Sequence, residues 1–288
     1  MKPYIISTDC MADLPAEFIE QHHLCLHPLY YQIGDQTYNA LEGTLSEAEF
    51  YAKMRNGEMP TTMASNPEYI EQSFSKNIAD GYDILHISFS SALSSSYNNT
   101  AVTAEAMMEQ HPDTKIIVID SLCASLGQGL LIYYACKKKE EGASLEDLAE
   151  YVERIKLNVC HQFTVNDLFH LHRGGRVSKA TAIIGSIANI KPVLHVDNEG
   201  RLINISKIRG RKRSLITLVD NMEKAMEGYE NPIVFISHGD CLEDALFVKQ
   251  QIEERFGIHD FLINYVGSTI GAHSGPGTVA LFFMGKER

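Results

Sequence analysis

Short apolar runs recur along the chain, separated by loops rich in Ser, Asp and Gly. Residues 4–7, the run holding Ile84, Leu85 and Ile87, and residues 115–119 read as short buried strands, since compact apolar runs bounded by turn residues suit a covered strand. Helical periodicity spans 46–55, 67–79, 98–110, 125–139 and 144 to about 156, and Asp13-Leu14-Pro15 reads as another helix start with Asp13 as its N-cap. Residues 24–33 and 36–39 flank Gly34-Asp35 as a hairpin-like turn. Strands that end in Ser- or Asp-bearing loops ahead of helices predict a mainly parallel sheet with its site at the strands' C-terminal edge. Gly127 and Gly129, inside the 125–139 helix, permit a neighbouring element to come close.

Near Leu157 the rhythm changes. Strands are expected at 159–165, 192–196, 202–207, 233–237, 260–266 and 278–283, and helices at 180–188, 213–227 and 242–256. A Gly-Gly turn falls within 169–177, and Asn198-Glu199-Gly200 turns a hairpin. The fold class is therefore α/β in two domains. An N-terminal, mainly parallel three-layer α/β/α domain covers 1–157, and a C-terminal α/β domain with a mixed, partly antiparallel sheet covers 158–288.

Composition narrows the function classes. At 288 residues the chain can build two proper cores, and 44% hydrophobic with 22% charged residues is ordinary for a folded soluble protein. A net charge of -12 argues against nucleic-acid binding, because a phosphate backbone would be repelled over most of the surface. Six scattered cysteines without a C-x-x-C pair, and an N-terminus that enters a strand directly, predict a reduced cytoplasmic protein. No apolar run approaches a membrane span, so any lipid is carried inside or touched transiently at the surface.

Candidate chemistry centres on residues 87–97, ISFSSALSSSY, a loop with six serines and no charge where a strand hands over to a helix. Free N–H groups and the positive end of the helix dipole suit an anion there, and serine hydroxyls add donors. The absence of Lys, Arg and extra glycine favours a singly charged carboxylate over a polyphosphate. Taken alone, the loop is better explained by Ser94 or Ser96 capping the helix. Thr61-Thr62, in a hydroxyl-rich loop, could converge on the same ligand, whose oxygens neutral donors would leave more nucleophilic than an Arg clamp does. His273 sits in the glycine-framed loop 267–277, where it either orients a ligand or is a structural histidine. His170 and His172 lack further ligands at metal spacing. Two basic clusters, Arg173, Arg176 and Lys179, and Arg201 to Arg213 with Arg209, Arg211 and Lys212, stand out in an acidic chain and suggest an acidic or phosphate-bearing partner.

In order and spacing, the segments STDCMADLP, PTT at 60–62, SSALSSSY, DSLCASLGQG, HRGGRVS, NIKPVLHVDNEGRL, KIRGRKR, HGD and IGAHSGPG resemble the DegV family, the fatty-acid-binding subunits of bacterial fatty acid kinase. The resemblance runs nearly end to end. It implies a fatty acid in a tunnel between two α/β domains, with Thr62, Ser94, the Ser95 amide and His273 at its carboxylate and Thr61 and Ser96 as secondary contacts. The small-residue helix 180–188 with Ile183, Ile184, Ile187 and Ile190 then lines the tunnel, and Arg173, Arg176, Arg209, Arg211 and Lys212 face the kinase or the phosphate. Burying about fifteen methylenes at roughly 0.8 kcal/mol each gives on the order of 12 kcal/mol before association costs.

On this resemblance the chain itself catalyses nothing and binds no metal or other cofactor. It presents the carboxylate to a separate kinase that supplies ATP and magnesium and makes an acyl phosphate. The sequence departs from the family's usual pattern at Thr62-Met63-Ala64 (Thr-Ser-Gln), Ser94-Ser95-Ser96 (Ser-Gly-Thr) and Asp9-Cys10-Met11 (Asp-Ser-Thr). The alternatives are a carrier or sensor of another amphipathic carboxylate without phosphotransfer and, further off, a serine lipid hydrolase, for which no G-x-S-x-G elbow is present.

Overall fold

The computed structural model describes residues 2–42, 45–166, 168–179, 189–286 and 288. The first half runs β1 (Tyr4–Asp9), a 3-10 turn (Cys10–Ala12), α1 (Ala16–Gln21), β2 (Cys25–His27), β3 (Tyr30–Ile33), β4 (Gln36–Asn39) and α2 (Glu47–Arg55). It continues through β5 (Thr61–Met63), α3 (Pro67–Ala79), β6 (Asp83–Ser88), α4 (Ser96–Gln110), β7 (Ile116–Asp120), α5 (Leu126–Glu140) and α6 (Leu145–Ile155). A second 3-10 turn (Lys156–Asn158) leads to β8 (Val159–Thr164), α7 (Phe169–Arg173), β9 (Ile190–Val196), β10 (Leu202–Arg209) and α8 (Arg211–Ala225). The chain ends with β11 (Val234–His238), α9 (Leu242–Phe256), β12 (Phe261–Tyr265), α10 (Ser268–Ser274) and β13 (Val279–Met284).

Three sheets result. The first is parallel with order β2-β1-β6-β7, the second is mixed with order β10-β9-β8-β13-β11-β12, and a small antiparallel sheet has order β4-β3-β5. Helix starts follow local chemistry: Ser46 and Glu49 form a capping box on α2, Asn66 with Pro67 opens α3, and Ser144 caps α6. Successive side chains of a strand face opposite ways. Thus Ile84 and Ile116 pack with Ile70, Phe74, Ala104 and Met107 of α3 and α4, whereas Leu85, Ile87 and Ile119 face α5 and α6.

The other side of α5 meets the mixed sheet, whose Phe163, Phe235, Ala280 and Phe282 belong to the same apolar cluster as Leu85 and Ile87. Helices α8 and α9 close the far face of that sheet through Leu215, Leu218, Val219, Val248 and Ile252. The two halves therefore share one core, with α5 at its centre. Close approach requires the two glycines expected to allow it: a Cβ on Gly127 would lie 2.1 Å from His161 Nε2, and one on Gly129 would lie 2.9 Å from the Ala12 carbonyl oxygen.

Several local expectations are corrected. Asp13 does not cap α1; it takes φ 52° behind the first 3-10 turn, and Pro15 occupies the cap position. Thr61 and Thr62 lie on a strand, because Gln32 and Tyr31 of β3 pair with them. The glycine-framed segment around His273 forms a helical turn instead of a loop throughout. The expected helix 180–188, with Ile183, Ile184 and Ile187, lies outside the described residues.

Candidate functional site

The C-terminal ends of β1, β6 and β7 deliver three loops to one place. Asp9, at the end of β1, fastens them: its carboxylate accepts from the Phe89 N–H at 2.9 Å, the Met11 N–H at 3.2 Å and Gln128 Nε2 at 3.3 Å. Burial pushes its pKa up to about 6, although these donors favour the charged form. The turn between β9 and β10 docks on the serine loop, where Ser90 Oγ donates to the Gly200 carbonyl at 2.9 Å. Glycine is required at that turn: its φ is 77°, and a Cβ would meet Ser90 Oγ at 2.2 Å.

Between these loops and the mixed sheet lies a cavity of about 300 Å³, at the lower end of the range of about 300–1,000 Å³ for small-ligand pockets. Its walls are mostly apolar. Met11, Phe89, Leu93 and Ala124 come from the loop side, Phe163, Val196, Ala280 and Phe282 from the sheet, and Leu29, Val266 and Ile270 from elsewhere. The pairings Ser237↔Ala280 and Ala280↔Phe163 lay a row of cavity-lining residues across three strands.

Four predicted residues meet on this cavity: Thr62, Ser94, Ser95 and His273. Thr62 Oγ1 and His273 Nε2 are 2.7 Å apart. Burial, reinforced by Arg176 and Arg173, lowers the His273 pKa to about 4, so its ring is neutral. His273 Nδ1 is buried without a partner among the described residues and faces Gly174. Placing the ring proton on Nε2 avoids burying an unpaired N–H, and it leaves the Thr62 hydroxyl hydrogen free to donate to a ligand.

Ser94 braces the start of α4 and also borders the cavity. Its Oγ accepts from the Ser96 N–H at 3.2 Å, lies 2.9 Å from Ser96 Oγ, and borders the cavity. Ser95 is the N-cap residue of α4, whose positive end therefore faces the cavity mouth. Ser96 is fully buried and accepts from the Ser65 N–H, which makes it a brace behind Ser94 rather than a ligand contact. Thr61 is exposed and does not line the cavity. No histidine bonds to Ser94 among the described residues, so the hydrolase alternative lacks a Ser–His pair there.

The basic residues divide. Arg176 borders the cavity and gives Nε and Nη2 to the Leu93 carbonyl at 3.0 and 2.8 Å, with Nη1 on the Gly174 carbonyl. Arg173 donates to the carbonyls of Pro60 and Ala272, each at 2.9 Å. Both are turned inward, which corrects the expectation of a partner-facing pair and of a head-group pocket free of positive charge. Arg211 is held by Asp244 and the Gly277 carbonyl, whereas Arg209 and Lys212 are exposed. Ile190 opens β9, opposite Arg209, and is not part of the cavity wall. Sequence reasoning missed Arg176 as a wall residue and Ser125, Ser237 and Ser274, whose hydroxyl-bearing side chains line the cavity.

The arrangement can hold a carboxylate with hydroxyl and amide donors, a guanidinium nearby, and an apolar chain beneath. Among the described residues no cluster of metal-ligating side chains occurs, and no helix is long and apolar enough to cross a membrane.

Similarity to known proteins supports the same fold. A DegV domain-containing protein of Clostridium perfringens is 40% identical over 289 residues, covering 100% of this chain and 99% of that protein. Another from Lactococcus lactis is 34% identical over 285 residues, with 98% of each chain covered. Among solved structures, a DegV protein of Bacillus subtilis described as a fatty acid binding protein matches with TM-score 0.85 and 29% identity, over 99% of this chain and 100% of its own. A DegV family protein of Thermus thermophilus, described by its fatty acid binding, matches with TM-score 0.87 and 26% identity over the same shares. The family model for DegV, described as uncharacterised proteins, spans residues 4–286, so with relatives aligned end to end and the same architecture in the solved structures, this chain belongs to the DegV family.

Proposed function

We propose that this protein binds a long-chain fatty acid in the cavity between the loops of the parallel sheet and the mixed sheet and presents the carboxylate to a separate ATP-dependent kinase. The observation that carries this reading is a mostly apolar cavity edged by Thr62, Ser94, Ser95 and His273. Fatty acid binding by the B. subtilis and T. thermophilus relatives supports the identity of the ligand. Hydroxyl and amide donors hold the head group without enclosing both oxygens in a bidentate guanidinium. One oxygen then attacks the γ-phosphorus of ATP on the partner, giving acyl phosphate and ADP. The partner supplies ATP and magnesium, and this chain acts as a ligand-binding subunit in the cytoplasm.

Native mass spectrometry of the purified protein, followed by denaturation and lipid extraction, tests the first half. An acyl carboxylate at one per chain is expected; protein that carries none and cannot be loaded with one sinks the reading. Exposed Arg209 and Lys212 are the candidates for the kinase-facing surface. Arg209→Ala with Lys212→Ala should leave fatty acid retention within about twofold of wild type and cut acyl-phosphate formation with the kinase about tenfold. Lost retention with unchanged coupling would refute that division.

A further inference from the structure

Thr62, Ser94 and His273, which edge the head-group end of the cavity, come from three short pieces of chain. Thr62 lies on β5, a three-residue strand at the edge of the small sheet, Ser94 in the loop ahead of α4, and His273 on the seven-residue α10. Elements this short do not hold their side chains in place unaided. Their neighbours are all fastened to one segment, residues 173–176 at the end of α7.

Arg173 spans two of the three. Its Nη1 donates to the Pro60 carbonyl, two residues before Thr62, and its Nη2 to the Ala272 carbonyl, one residue before His273, each at 2.9 Å. Ala272 belongs to the last turn of α10, where a carbonyl lacks an intrahelical partner and a cation is favoured. The side chains tied in this way meet at 2.7 Å, Thr62 Oγ1 to His273 Nε2. Arg173 itself does not line the cavity. Arg176 fastens the third piece, with Nε and Nη2 on the Leu93 carbonyl, one residue before Ser94. Between the two arginines, Gly174 lies against the His273 ring, and an added Cβ there would be 2.0 Å from Nδ1.

We propose that residues 173–176 form a clamp that sets the spacing of the head-group donors, with Arg173 as a positioning residue that ties Thr62 to His273 without touching the ligand. This rests on the fatty-acid reading above and assigns what makes the donors converge on one carboxylate. The guanidinium holds two N–H groups at a fixed separation on two carbonyls, whereas a lysine keeps the charge but offers one nitrogen on a flexible stem. Arg173→Lys therefore separates geometry from charge.

The test compares octadecanoic acid with octadecanol as displacers of a fluorescent fatty acid from the full-length protein. Both use the apolar wall, and only the acid makes charge-assisted hydrogen bonds at the head-group end. In Arg173→Lys the preference for the acid is expected to fall about tenfold, with octadecanol affinity within about threefold of wild type. In a Thr62→Ala background the same substitution should lower that preference by less than about threefold, because the donor it positions is already gone. Acid and alcohol weakened by the same factor would show only general support of the fold, and an unchanged preference would show that the fork sets nothing. Either result overturns the clamp and leaves the fatty-acid reading standing; if the wild type binds neither ligand, both fall. Should Arg173→Lys not fold, Gly174→Ala decides. Its backbone is right-handed helical, which alanine adopts, and the methyl displaces the His273 ring while both arginines remain. The acid preference should again fall about tenfold, and an unchanged one overturns the clamp.

Discussion

Replacing Thr62 and Ser94 together by alanine should weaken binding of a long-chain carboxylate by about 10²-fold or more, measured by displacement of a fluorescent fatty acid. On the proposed reading each hydroxyl gives the head group a charge-assisted hydrogen bond, and such bonds are worth about 1.5–3 kcal/mol. Two of them sum to roughly 3–6 kcal/mol, or about 10² to 10⁴ in affinity. The apolar wall is untouched, so the variant should still bind weakly. Thr62→Ser keeps the hydroxyl and should retain most of the affinity. The pH dependence separates this arrangement from a cationic one. His273, with its pKa lowered to about 4, stays neutral from pH 8 down to about 5.5 and adds no pH dependence to affinity there, whereas a fall below about pH 6 belongs to Asp9, whose carboxylate fastens the loops of the site. A clear rise in affinity toward pH 5.5 would show that His273 binds as a cation. Stability moves differently. Between the unfolded value of 6.5 and the folded value of about 4, the folded state binds fewer protons at His273. Its contribution is complete above pH 6.5 and is lost as the pH falls toward 4.

Gly127→Ala should be among the most damaging single-methyl additions to the fold. The added carbon would sit 2.1 Å from His161 Nε2, and that ring is held in place: it is 2% exposed, with Nε2 on the Ala124 N–H at 3.1 Å and Nδ1 by the Val159 carbonyl at 3.0 Å, so it can yield only toward the ligand cavity that it borders. Relief requires α5 to lift from the mixed sheet or His161 to abandon both contacts. Overpacking combined with a broken buried hydrogen bond costs about 3 kcal/mol or more. At about 2–4 °C per kcal/mol, Tm should fall by roughly 6–12 °C. The double-mutant cycle makes the cause testable. In a His161→Ala background the same methyl should cost less than about 1 kcal/mol; an equal cost there would show that His161 is not what it strikes.

Much of the architecture was legible because strand and helix periods leave separate marks. The capped helices α2, α3 and α6 announce themselves through Ser46, Asn66-Pro67 and Ser144, and α9 follows its apolar stripe from Leu242 to Phe256. Helix α10 was hidden because seven residues with two serines, a glycine and a histidine have little intrinsic helicity. Packing supplies it instead: a Cβ on Gly271 would strike the Tyr51 hydroxyl at 2.5 Å, so only glycine lets α10 lie against α2. Asp13 misled for a related reason. Asp-x-Pro is a good local helix start, but the carboxyl is claimed by Ser125 Oγ and the Gly267 N–H, partners more than a hundred positions away. Burial then raises its pKa well above the ordinary carboxyl value. Arg173 and Arg176 were read as surface because charge counts carry no direction. The short helix α7 and the turn at Gly174-Gly175 bring both guanidinium groups onto carbonyls of other segments. Within the site, Thr62 and Ser94 were found through motif order, whereas Ser237 offered no signal beyond its place in a strand.

The core that joins the sheets also bears on how such a chain is inherited. Leu130, Leu131 and Ile132 of α5 belong to one apolar cluster with Leu85 and Ile87 from the first half and Phe235 and Phe282 from the second. We take the boundary near Leu157 as a change of sheet rather than a place where modules can be exchanged. A foreign second half would bring a surface never selected to fit α5, and the ligand cavity, which lies on the same seam, would lose its floor. In the relatives aligned over 98–100% of this chain, both halves, and with them both walls of the cavity, travel together.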